Sequence, residues 1–109
     1  MFLFALMLVA VVLVSGCTSS PTGDPAEDAR ISCIQECELE KSMETYMENG
    51  PCLSDINPRW NVDDWVCDVA HSPRQYIDND PSNQCIDYRT GLAHHFVEVS
   101  PDCGFIRSN

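Results

Sequence analysis

Two cysteines one helical turn apart, Cys33 and Cys37, sit inside a stretch that reads as a single helix from Asp24 to Asn49. Thiols at this spacing leave the same side of a helix about 5–6 Å apart at Cβ. A disulfide needs about 3.5–4.5 Å. The two should therefore not bond to each other, and each must reach a cysteine far away in the chain, stapling the rest of the polypeptide to the helix. The helix itself is well signalled at its start. Asp24 stands as N-cap, Pro25 at the first helical position and Glu27 at the third. Ala26, Ala29, Cys33 and Cys37 form one stripe that Met43 and Met47 continue. Asn49-Gly50-Pro51 supplies the expected stop.

The need for staples follows from size. Residues 1–16 hold a large share of the apolar side chains of this 109-residue chain, and what remains is thin for a domain that must offset its chain entropy by burial alone. The chain has seven cysteines. Setting Cys17 aside leaves Cys33, Cys37, Cys52, Cys67, Cys85 and Cys103, the even count of a secreted disulfide framework. The helix pair is expected to reach Cys67 or Cys85 on strands and Cys52 or Cys103 at the edges.

Beyond Cys52 the chain breaks into short pieces. Residues 53–64 read as loop, with a turn of helix around Trp60. Trp65 to Ala70 has strand composition, and residues 78–83 are turn chemistry. Cys85 to Tyr88 and Ala93 to Val99 look like two antiparallel strands joined through Arg89-Thr90-Gly91-Leu92, and Cys103 to Ile106 could add an edge. The expected fold is α+β, small and disulfide-rich, with one long N-terminal helix stapled to a small antiparallel sheet.

Phe2 to Val14 is an unbroken apolar run followed by Ser15, Gly16 and Cys17. Crossing a bilayer takes about 20 residues, whereas signal-peptide cores run about 7–15 and end in small residues. Val14-Ser15-Gly16-Cys17, with Leu13 before them, resembles the lipobox of prokaryotic lipoproteins, although no Lys or Arg precedes the run. The resemblance implies a signal peptide over 1–16, lipid on Cys17, a tether over 17–23 and a single domain over 24–109, held on the extracytoplasmic face of the cell membrane. The segments Gly50-Pro51-Cys52-Leu53-Ser54, Trp65 to Arg74, Asn83-Gln84-Cys85 and His95 to Val99 resemble small cysteine-rich secreted or lipid-anchored proteins of archaea, which bring no activity to transfer. The helical C-x3-C is similar to that of the cysteine-stabilised αβ scaffold of defensin-like peptides, but the strand C-x-C of that family is missing.

Charge excludes one class of partner. With a formal net charge of -11, about half of it on the helix, the chain is unsuited to nucleic acid or to an anionic bilayer surface. The acidic helix face reads as solvated, and Lys41 is the single lysine.

Candidate sites are few. His71, His94 and His95 with Asp68 and Glu98 are the grouping that could hold a transition metal. On a strand, His94 and His95 face opposite ways and His94 lies about 13 Å from Glu98, so the fold would have to supply His71 or Asp68. Asp78, Asp80 and Ser82 follow a calcium-loop spacing that fails at Asn83 and Arg89. Trp60 and Trp65 could form a stacking platform for a sugar or peptide, or cover the disulfides. No catalytic triad, redox C-x-x-C or phosphate loop is present, and no cofactor is expected. The reading that follows is a lipid-anchored binding or structural interaction domain of the cell envelope, taking an envelope protein, peptide or glycan. The alternative, from a different class, is a small metal-dependent enzyme using His71, His94 or His95 with Asp68 or Glu98.

Overall fold

A computed structural model describes residues 22–109. The expected leader over 1–16, Cys17 and the first part of the tether lie outside the described residues. In chain order the elements are α1 (Pro25–Ser42), β1 (Trp65–Val69), two 3₁₀ turns at Tyr76–Asn79 and Pro81–Asn83, α2 (Ile86–Arg89), β2 (His95–Val99) and β3 (Phe105–Ser108). The architecture is α+β, with a three-stranded sheet ordered β1-β2-β3.

The start of α1 follows the sequence signals: Asp24 accepts from the Ala26 amide and Pro25 opens the first turn. The end does not. The helix has 18 residues and stops at Ser42, well before Gly50, because Glu44 takes up φ 61°. The Glu44 amide then donates to the Lys41 carbonyl and the Thr45 amide to that of Glu40, a Schellman arrangement with Glu where glycine is usual. Gly50 also has positive φ, but for a different reason. A Cβ there would stand 2.8 Å from both the Val69 carbonyl oxygen and an Asp78 carboxylate oxygen.

The sheet is mixed rather than antiparallel. β1 and β2 run parallel, with Trp65 beside His95 and Val69 beside Val99, while β2 and β3 are antiparallel. Cys85 to Tyr88 is not a strand: residues 86–89 form the single turn of α2, closed by the Thr90 amide and hydroxyl on the Ile86 carbonyl. Ile86 and Tyr88 had mimicked strand alternation. With no hairpin partner there, β2 joins β1 through a crossover over residues 70–94, the connection parallel strands require.

Three disulfides hold these parts: Cys33–Cys67, Cys37–Cys103 and Cys52–Cys85. The first two fix α1 to β1 and to the turn before β3. The third ties the crossover to the segment flanking β1, which covers that sheet edge through the Leu53 amide on the Cys67 carbonyl and the Val69 amide on that of Pro51. The main core lies between α1 and one sheet face, where Ala29, Cys33 and Cys37 meet Trp65, Val69, Val97 and Val99. Of the expected stripe, Met47 is buried and Met43 exposed. The acidic helix is not wholly solvated, since Glu36 is buried and bonded to Arg59 and Asn57. Its carboxyl feels burial most, yet the Arg59 and Asn57 hydrogen bonds outweigh that and hold it below its usual range.

Candidate functional site

Strand alternation gives the sheet a second face, away from α1. Val66 and Asp68 of β1 and Phe96 and Glu98 of β2 turn to it, at matching register. Because β1 and β2 are parallel and adjacent, Asp68 and Glu98 stand side by side, about 4.8 Å apart along the hydrogen-bonding direction at the backbone. Residues of the crossover and of this face together line an open pocket of about 410 Å³.

The two acids differ in how they are answered. Glu98 is buried and receives Arg107 at 2.9 Å and Arg74 at 3.5 Å. The Asp68 oxygen Oδ1 is buried and accepts no hydrogen bond. Burial first, then the neighbouring charges of Glu98 and Asp78, push the Asp68 carboxyl up to about 8, with Arg74 opposing. Asp68 is thus a neutral acid at pH 7, able to donate an O–H rather than only accept.

Arg107 reaches this face because of a bulge. Glu98 pairs with Arg107 and Val99 with Phe105, so Ile106 is an extra residue in β3. Without it Phe105 and Arg107, two apart, would share a face. With it Phe105 lies under Arg30 of α1, while the Arg107 guanidinium sits 5.2 Å from the centre of the Phe96 ring. Re-aiming one side chain is a common use of a bulge. Tyr88 of α2 meets Phe96 edge-on at 5.2 Å, and Val66 and Cys85 complete the apolar lining. Gln84 and Arg89 add polar groups.

The pocket therefore carries three arginines, half of the six basic residues in a chain of net charge -11. Their donors are only partly used. Arg107 spends one nitrogen on Glu98, and Arg89 makes one long contact, 3.4 Å, to the Pro81 carbonyl.

The structure divides the five residues offered as metal ligands among three places. Asp68 and Glu98 share the pocket. His71 lies elsewhere, its Nδ1 2.9 Å from Asp78 and its Nε2 3.3 Å from Glu48. The Asp78 hydrogen bond, then that of Glu48, raises the His71 pKa. Asp78 itself is held low although burial pulls it up, because the Gln75 and His71 amides and the His71 ring all bond to it. That carboxylate is used up inside the fold and is not a calcium-loop ligand. His94 and His95 both pair with Asp64 at the other end of the sheet. Among the described residues, the group of potential ligand atoms that does converge is Cys52, Asp55 and Cys85, and its two sulfurs are bonded to each other.

The tryptophans do not form a platform. Trp65 is buried in the core and stacks on His95 at 4.7 Å. Trp60 packs against it, donating its indole N–H to the Trp65 carbonyl.

Sequence reasoning named Asp68 and Glu98 but missed Arg74, Arg89, Arg107, Tyr88 and Phe96. The available signal was charge: three of the few basic residues fall between 74 and 107, outside the acidic helix. No protein-family model, curated protein or solved structure matches the chain. No helix among the described residues is long and apolar enough to cross a membrane.

Proposed function

We propose that the protein is a ligand-binding domain of the cell envelope, held outside the cytoplasm by lipid on Cys17, with the pocket on the open sheet face as its binding site. Three disulfides in so small a domain are in keeping with an oxidising compartment. The observation that carries the binding reading is the pocket itself, apolar at Val66, Phe96 and Tyr88 and bearing hydrogen-bonding groups left unmatched at Asp68, Arg89 and Arg107. Small-molecule sites have this composition, mostly apolar with a few convergent polar groups. A stability cost at Asp68, which the fold could have avoided with an apolar residue, is also what functional sites carry.

Two measurements test the reading. The intact mass of membrane-extracted protein should show lipid on Cys17 and a gain of about 6 Da on reduction, one hydrogen per thiol for six thiols. Amide chemical-shift mapping against a panel of anionic, neutral and cationic small molecules should move Val66, Phe96 and Tyr88 together for at least one class. A panel that leaves all three unmoved refutes the binding site.

A further inference from the structure

We propose that the pocket recognises a carboxylate borne on a small flat apolar body, the arginines and Asp68 holding the charged end while Phe96 and Tyr88 pack the rest. This rests on the binding reading above and deepens it by naming the ligand class.

The sign of the ligand follows from how the groups are already committed. Glu98 already draws two arginines to its Oε1, Arg107 at 2.9 Å and Arg74 at 3.5 Å, and a bound cation would have to compete with both for it. Arg74 is also anchored, giving Nε to Asn79 and Nη2 to the Asp78 carbonyl. What remains unspent is on the donor side. Arg107 keeps Nε and Nη1, and Arg89 keeps Nε and Nη2, among the described residues. Asp68 adds an O–H to the lining, burial foremost keeping its proton on. Its neighbours Glu98 and Asp78 outweigh Arg74 in keeping the proton on. Arginine forks and a neutral acid are both donors, and a carboxylate accepts from either with geometry that a guanidinium matches in pairs.

The apolar half is equally specific. The Arg107 guanidinium carbon lies over the Phe96 ring, 5.2 Å from its centre, while Tyr88 meets the same ring edge-on, so the wall beside the charged groups is an aromatic surface that suits a planar partner. A volume of about 410 Å³ is near the small end of known ligand pockets, which run about 300–1,000 Å³. That fits a compact acid rather than an extended chain. Such a carboxylate can be a free organic acid or the C-terminus of a peptide ending in an aromatic residue, and the chemistry at the pocket is the same.

The test is calorimetry with the oxidised full chain and four probes: phenylacetate, phenylacetamide, phenethylamine and N-acetylphenylalanine. Phenylacetate should bind at least 10-fold more tightly than its neutral amide, and phenethylamine more weakly still. Arg89→Gln, an exposed side chain with no part in the core, should cost about 10-fold in phenylacetate affinity, the scale of one charge-assisted hydrogen bond. Arg107→Gln should cost at least as much. Binding should weaken as pH rises through 8 in the native protein, when Asp68 ionises among Glu98, Asp78, Arg74, Arg89, Arg107 and Tyr88, and should stay level in Asp68→Asn. N-acetylphenylalanine binding more tightly than phenylacetate assigns the peptide terminus, and the reverse order assigns a free acid. Equal or tighter binding of phenylacetamide or phenethylamine at the pocket overturns the carboxylate assignment and leaves a binding site standing. Failure of all four to bind refutes the assignment, and the wider panel then decides the binding site itself.

Discussion

Replacing Asp68 by Asn should make the protein more stable at neutral pH and less so by comparison as the medium is acidified. In the unfolded chain Asp68 titrates near 3.8, while in the fold it titrates near 8. Folding at pH 7 therefore takes up one proton that the unfolded chain does not hold. The folded pKa being the higher, stability is greatest below the unfolded value, falls by about 1.4 kcal/mol per pH unit between the two and levels off above 8. Integrated from 3.8 to 7 this gives about 4 kcal/mol, and about 2–4 kcal/mol once solvent reaching the relaxed site is allowed for. Asn has nearly the same shape and no proton to take up, so the variant escapes that cost. The assay is guanidinium unfolding with the disulfides intact, at several pH values from 4.5 to 9, comparing native and variant at each. The groups with shifted titration in this range that do not act on Asp68, Glu36, Asp64, His71 and Asp80, are common to both proteins and cancel in the difference. A difference that stays within about 0.5 kcal/mol across the range would show that Asp68 is ionised in the fold, and the account of a neutral donor in the pocket would fail.

Other perturbations probe the scaffold. Cys37→Ser with Cys103→Ser opens a loop of sequence separation 66 and should cost about 4 kcal/mol by loop-closure entropy, read from the denaturation midpoint; an unchanged midpoint would deny that this staple constrains the chain. Gly50→Ala places a Cβ against the Val69 carbonyl at φ +69° and should lower stability by about 2–3 kcal/mol. A neutral result would mean that the segment shifts freely. For His71, bonded foremost to Asp78 and then to Glu48, the raised pKa means a stabilising contact that is complete below about 6.5 and lost as pH rises through the folded value. NMR titration of the His71 ring should give a midpoint above the usual value and drop in Asp78→Asn.

Local chemistry was legible in the sequence, as was the reach of the helix thiols to one strand cysteine and one edge cysteine, Cys67 and Cys103; the pairing of the strands was not. Asp24, Pro25 and the Ala29-Cys33-Cys37 stripe announce α1, and Trp65 to Ala70 announces β1, because caps and alternation are written within a few residues. The end of α1 was hidden because Glu44 performs in the left-handed region a role that normally advertises itself as glycine. α2 was misread because Ile86 and Tyr88 alternate over a segment too short for either period to settle. The pocket was half visible. Asp68 and Glu98 stood out as acids among valines, but their meeting depends on parallel register, and Arg107 joins them only through the extra Ile106. A one-residue irregularity between two strands has no signature in one strand read alone.

The way the sulfur bonds are distributed makes the domain two objects of unequal durability. Helix and sheet are riveted twice, through Cys33–Cys67 and Cys37–Cys103, whereas the crossover carrying Tyr88 and Arg89 has one disulfide, Cys52–Cys85, and Cys52 is the least covered of the six sulfurs' residues. A mild reductant should therefore reach that bond first and loosen the wall of the cavity, weakening its grip while the frame beneath stays folded.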